Sequence, residues 1–99
     1  MKIRDVVSSL EKYLNQRIPR NAVIEEEIRF KECMSKFLEK LRRADQDSVV
    51  KCHNGECERE GIYAPDPNKD GNIDYRRARR FREGEAFPDG NDDWIQVGE

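Results

Sequence analysis

The chain has a single histidine, His53, in 99 residues and three cysteines, Cys33, Cys52 and Cys57. An odd set of cysteines speaks against the disulfide framework of a small secreted domain. No apolar run approaches the roughly 18 residues that a membrane-spanning helix needs. Met1-Lys2-Ile3-Arg4-Asp5 also opens without the apolar stretch of a secretory signal. These absences predict a cytoplasmic location and no membrane partner. The sequence lacks a P-loop, a dinucleotide-binding glycine fingerprint, a Gly-x-Ser-x-Gly elbow and a His-Glu-x-x-His helix. Cys52 and His53 are adjacent, and adjacent residues on a strand point to opposite faces, so they do not make a nucleophile–base pair. The expectation is a protein that is not an enzyme.

Apolar side chains are scarce: 35% of residues are hydrophobic, 8% are aromatic and 40% are charged, against about a quarter charged in ordinary globular domains. A core filled from so few residues is small. One domain over residues 1–99 is therefore expected, of marginal stability or supported by a partner. The net charge of −2 gives a bulk field too weak to recruit nucleic acid or membrane by itself.

What is present is strongly patterned. Ile3, Val6, Val7, Leu10 and Leu14 recur at helical spacing, which predicts a short amphipathic helix. Pro19 interrupts it and is suited to start the next helix. Val23, Ile24, Ile28, Phe30, Met34, Phe37, Leu38 and Leu41 carry a second helical stripe from about Asn21 to Ala44. Glu25-Glu26-Glu27 in its first turns and Lys40, Arg42 and Arg43 in its last complement the helix dipole. Residues 1–44 thus read as an αα-hairpin, a short helix followed by a long one. A helix of that length outruns its neighbour, so part of its stripe must meet the second half of the chain or a partner.

From residue 48 to 99 the signals are those of strands. Asn54-Gly55 between Val49-Val50-Lys51-Cys52-His53 and Glu56-Cys57-Glu58 predicts a tight hairpin with Cys52 opposite Cys57 and Lys51 opposite Glu58. Ile62 and Tyr63 prolong the return strand to Ala64-Pro65. Tyr75 to Arg82 is compatible with a helix. Ala86-Phe87 and Trp94-Ile95-Gln96-Val97, flanking a Pro/Asp/Gly/Asn turn, predict a second hairpin, with Trp94 as a core anchor. Helices first and antiparallel strands later is the α+β order.

Three segments carry possible chemistry. Asp66-Pro67-Asn68-Lys69-Asp70-Gly71-Asn72-Ile73-Asp74 resembles the opening of an EF-hand calcium loop. That resemblance implies oxygen ligands at Asp66, Asn68, Asp70 and Asp74 and a sharp turn at Gly71. The twelfth position, where a bidentate Glu belongs, is Arg77, and no helix signal precedes the loop. The preferred reading is a surface Asx-turn loop without a cofactor, with weak calcium binding as the alternative. Cys52, His53 and Cys57 supply too few ligands at zinc spacing for a complete site within one chain. Arg76, Arg77, Arg79, Arg80 and Arg82, interleaved with Tyr75 and Phe81, suit phosphates and bases. The acidic residues on both sides favour a salt-bridged surface instead.

The sequence therefore predicts a small protein-interaction module: an adaptor, regulator or inhibitor of a larger protein, and an oligomer. Phe30, Phe37 and Leu41 would supply apolar contact, and Arg76, Arg77, Arg79 and Arg80 would set orientation. The runner-up is a nucleic-acid-binding regulator using the same arginines, and weak calcium binding through residues 66–74 is third.

Overall fold

Two helices precede a three-stranded sheet. The computed structural model describes residues 1–16, 24–67, 71–88 and 92–99. Helix α1 spans Ile3–Leu14 and α2 spans Ile24–Arg43. Strands β1 (Gly61–Asp66), β2 (Arg79–Phe81) and β3 (Asp93–Gly98) follow, with a 3₁₀ turn at Tyr75–Arg77 before β2. The order across the sheet is β2-β1-β3 and both pairings are antiparallel. This is the α+β architecture expected from the helical and strand-like halves. The Pro19 break lies outside the described residues.

The helix ends are tied by one loop. Lys2 at the start of α1 makes no side-chain cap. The first amide donors are met from a distance instead, Ile3 by the Ser48 carbonyl (2.9 Å) and Arg4 by the Gln46 carbonyl (3.1 Å). The Gln46 side-chain amide donates to the Leu41 and Ala44 carbonyls, each at 2.8 Å, which satisfies acceptors that the last turn of a helix leaves open. At the other end, Lys31 of α2 donates to the Gln16 carbonyl (2.9 Å). The end of α2 thus returns to the start of α1, and the two run antiparallel.

The sheet is covered on both faces. Strand alternation sends Ile62 and Ala64 of β1 to the helices, where they join Val6, Leu10, Met34, Leu38 and Val97. Tyr63 points the other way, into an aromatic cluster with Phe81, Phe87 and Trp94, closed by Cys57. Half of the chain's aromatic residues are concentrated there. Phe87 stacks on Trp94 at 5.3 Å and Phe81 meets Phe87 at 4.7 Å. Within the chain, α2 packs on α1 and on β3.

Pro65 falls inside the central strand, where a proline would ordinarily cost a ladder bond. Here β2 pairs only with Gly61–Tyr63. The Pro65 carbonyl, on that same side, accepts from the Asp74 amide at 3.0 Å. The missing donor therefore faces a position past the end of the ladder, and the strand runs on to Asp66 rather than stopping at Pro65.

The strand pairings within the β-rich half differ from the two expected hairpins. The turn at Asn54-Gly55 exists, with Gly55 at φ +92°, and Lys51 forms an ion pair with Glu58. Its arms do not pair with each other as a ladder. His53 exchanges both backbone bonds with Trp94 (2.8 and 2.9 Å), and Cys57 exchanges bonds with Gly84 and Glu85. Cys52 is exposed and Cys57 buried, both as free thiols. The expected cross-strand cysteine pair is absent because each arm finds a partner elsewhere. The second expected hairpin is replaced in the same way. β3 pairs with β1, while Ala86 bridges Glu56. Residues 75–82 form a 3₁₀ turn and then a strand, since only an extended chain puts Phe81 into the aromatic cluster while Arg79 and Arg80 stay exposed.

Candidate functional site

The alternation of β2 distributes the arginine run between both faces of the sheet. Arg79, aligned with Tyr63, lies over the Phe81 ring (4.0 Å) and pairs with Glu85 (3.1 Å). Arg80, aligned with Ile62, turns toward α2. It donates to the Glu99 carbonyl (2.6 Å), to the Cys33 sulfur (3.6 Å) and reaches Glu60 at 4.0 Å. Arg77 lies over Trp94 at 5.5 Å and pairs with Asp92 (2.9 Å). Arg76 pairs with Asp74 (3.2 Å) with its side chain 91% exposed. Flanking acids thus meet Arg76, Arg77 and Arg79. Charged residues on the short β2 strand also discourage strand-to-strand association at a sheet edge.

Phe30, Phe37 and Leu41 are half-buried and pack against the main core. The solvent face of α2 is charged, and among its described side chains Ile28 is the one large apolar residue exposed above 40%. Phe37 and Leu41 take part in the packing of α2 on the core. Phe30 is different, because it borders two depressions. One, of about 890 Å³, is shared with Arg76, and the other, of about 390 Å³, is shared with Arg80.

The larger depression is a cleft between the end of α1, the start of α2 and residues 71–78. Tyr13 and Tyr75 stack in its wall with centroids 4.5 Å apart and an interplanar angle of 16°. Ile73 and Ala78 add apolar surface, and Glu26, Glu27 and Asp74 bring carboxylates to it. Lys31 stands 5.8 Å from the Tyr13 ring centroid. Burial raises the Tyr13 pKa, and the negative charge of Glu27 adds to it. Burial likewise pushes Tyr75 up to about 12, against a smaller opposing pull from Ser9. The Tyr75 hydroxyl is buried and has no hydrogen-bond partner of good geometry among the described residues. Both tyrosines are neutral at physiological pH and act as flat apolar surface with a polar tip.

The calcium-like loop is described only in part. Asn68 and Asp70 lie outside the described residues. Asp66 ends β1 half-buried, and Asp74 accepts from the Arg76 amide (3.1 Å) and its side chain. Gly71 has φ +96°, as the sharp turn requires. Among the described residues no group of three or more His, Cys, Asp and Glu side chains could hold a metal. The exposed thiol, Cys52, is held above the ordinary range by partial burial first and by Asp93, with the N-terminal ammonium opposing. It is therefore a poor nucleophile at neutral pH. His53 packs its ring edge-on against Tyr63 at 5.3 Å.

Of the residues that the sequence suggested for partner contact, Phe30 and Arg76 line the larger depression and Arg80 the smaller one, while Tyr13, Glu26 and Glu27 line the larger without having been suggested for it. The glutamates have a sufficient local explanation at a helix N-terminus, and nothing in the local pattern brings Tyr13 to Tyr75. Among the described residues no helix is long and apolar enough to cross a membrane. Compared with protein families, curated proteins and solved structures, the chain matches none.

Proposed function

We propose that this small globular domain acts by binding a protein partner, as an adaptor, regulator or inhibitor of a larger protein, and not by chemistry on a small substrate. One observation carries the reading. Phe30 borders two adjoining depressions, one reaching Arg76 and the other Arg80. An aromatic residue between two arginines has the composition of an interface centre with charged residues to fix orientation. The contact surface is then the N-terminal half of α2 with residues 73–80, and not the whole apolar stripe of α2. The free thiols of Cys33, Cys52 and Cys57 fit a reducing compartment, which supports a cytoplasmic partner.

The test is affinity purification of the tagged chain from its own cells, comparing the parent with Arg76→Glu/Arg80→Glu and with a control reversal, Lys12→Glu, on exposed α1 surface. The expected result is one partner, or a second copy of the chain, recovered with parent and control and lost with the double variant, whose circular dichroism is unchanged. A partner retained by the double variant overturns the assignment of the surface. Recovery of the parent chain alone as a monomer overturns the function.

A further inference from the structure

Asn54-Gly55 is the one Asn-Gly pair in the chain, and the fold does not use it as a hairpin. In a two-residue hairpin His53 would pair with Glu56. Here His53 bonds Trp94 and Glu56 bridges Ala86, so the dipeptide crosses from one partner to another as an open bend. Both of its residues are exposed. The Gly55 amide donates no hydrogen bond among the described residues, whereas its carbonyl accepts from the Phe87 amide at 2.8 Å. A Cβ at Gly55 would meet nothing within 4 Å, so the space around this amide is open. Glycine leaves its own nitrogen unshielded and lets the backbone approach other groups closely. Asparagine is a thermolabile residue, and a glycine nitrogen that follows it can close a five-membered ring on the asparagine Cγ.

We propose that Asn54 is a deamidation site of the folded chain, and that the isoaspartyl product loosens the aromatic core beside it. The Gly55 nitrogen gives its proton to hydroxide and attacks Cγ of Asn54. The Cγ–Nδ2 bond breaks, and the leaving nitrogen takes a proton from water to depart as ammonia. Water then opens the succinimide. Breaking the new N–Cγ bond gives aspartate, and breaking the original peptide bond gives isoaspartate, whose main chain runs through Cβ and Cγ. One water is consumed, one ammonia is released, and nothing is oxidised or reduced. Isoaspartate adds one backbone atom between His53 and Gly55. Those residues are anchored separately: His53 exchanges both backbone bonds with Trp94 at 2.8 and 2.9 Å, and Gly55 holds Phe87. Trp94 and Phe87 stack on each other inside the cluster that Tyr63, Phe81 and Cys57 complete. A longer link between two anchors on one stacked pair does not keep both in register, and a backbone bond left unmade there costs stability. The added charge matters less, because residue 54 is exposed.

The experiment ages the chain, with reductant present, in mildly alkaline buffer at physiological temperature, beside a sample unfolded in urea. The tryptic peptide 52–59 is followed by mass spectrometry, with its aspartate and isoaspartate forms separated by chromatography. The expected result in the folded chain is the amide-to-acid mass gain in that peptide ahead of every other asparagine, with isoaspartate the larger product. The aged fraction, isolated by ion exchange, should melt about 5 °C below the parent, the scale of one lost backbone bond in a domain this small. Asn54→Asp adds the charge without the extra backbone atom and should melt with the parent. Asn54→Gln should prevent both the modification and the slow fall in melting temperature. A peptide 52–59 left intact in the folded chain overturns the site, and modification in the urea sample alone would show that the fold protects it. Earlier modification at another asparagine overturns it as well. An aged fraction that melts with the parent, or an Asn54→Asp variant that melts as low as the aged fraction, overturns the coupling to the aromatic core.

Discussion

Gln46 links both helices through different atoms, its carbonyl receiving the Arg4 amide and its side chain closing the Leu41 and Ala44 carbonyls. Gln46→Ala keeps the first contact and removes the second. The expected loss is about 1 kcal/mol, the net value of such hydrogen bonds, read by urea denaturation with an unchanged dependence on denaturant. His53 offers a test in pH. Burial lowers its pKa first and Lys51 adds to that, with Glu58 opposing. The folded state then prefers neutral histidine, so the unfolded chain binds the proton more readily in the window just below the ordinary value of about 6.5. Stability from this residue is complete above that window and declines as the pH falls through it, levelling once both states are protonated. Melting temperature should fall between pH 7 and pH 5 (about two units spanning the ordinary value). His53→Phe should flatten that slope while retaining the ring contacts with Tyr63 and Phe87.

At the scale of elements, the β1–β3 pair depends on a close approach. Ile62 pairs with Gly98 and Tyr63 with Gln96, a register irregularity that leaves Val97 without a direct partner. A Cβ at Gly61 would come within 2.9 Å of the Gly98 carbonyl and 2.6 Å of the Gln96 side chain. Gly61→Ala is expected to cost about 1–3 kcal/mol, as overpacking does in a filled interior, because the backbone contact cannot be relieved by a rotamer change. Chemical denaturation measures it, and a neutral Gly61→Ala would mean that the strands separate locally without penalty. The element that sequence reasoning misread most clearly is 75–82. Its arginines and Ala78 have good helical propensity, but a helix would not set Phe81 among Tyr63, Phe87 and Trp94. Burial of an aromatic side chain stabilises by several times what propensity offers over so short a segment.

Across the whole molecule, β1 is shared by two cores of different character, an aliphatic one under the helices and an aromatic one beneath the irregular segments. Unfolding should therefore be cooperative. Helical circular dichroism reports the first core and Trp94 fluorescence the second, and the two melting curves should coincide. Phe81→Ala, expected to cost about 3–5 kcal/mol, should lower both midpoints together, although Phe81 lies on the far side of the sheet from the helices. Separate transitions would show that the sheet does not couple its faces. Concentrating half of the aromatic residues in one cluster is how a chain with 40% charged residues covers both faces of a sheet.

The sequence by itself determined the two helices, the antiparallel sheet after them, the glycine turns at Gly55 and Gly71 and the anchoring role of Trp94. Each of these follows from local periodicity, turn chemistry or side-chain size, which act within a few residues. Only the tertiary structure decided that the Asn54-Gly55 arms pair with Trp94 and with residues 84–86 in place of each other, that Phe37 and Leu41 pack inward, and that Tyr13 meets Tyr75. The physical reason is the same in each case. A hairpin arm or a half-buried aromatic has several partners of nearly equal local merit, and the choice falls to whichever arrangement buries the most apolar surface across distant parts of the chain.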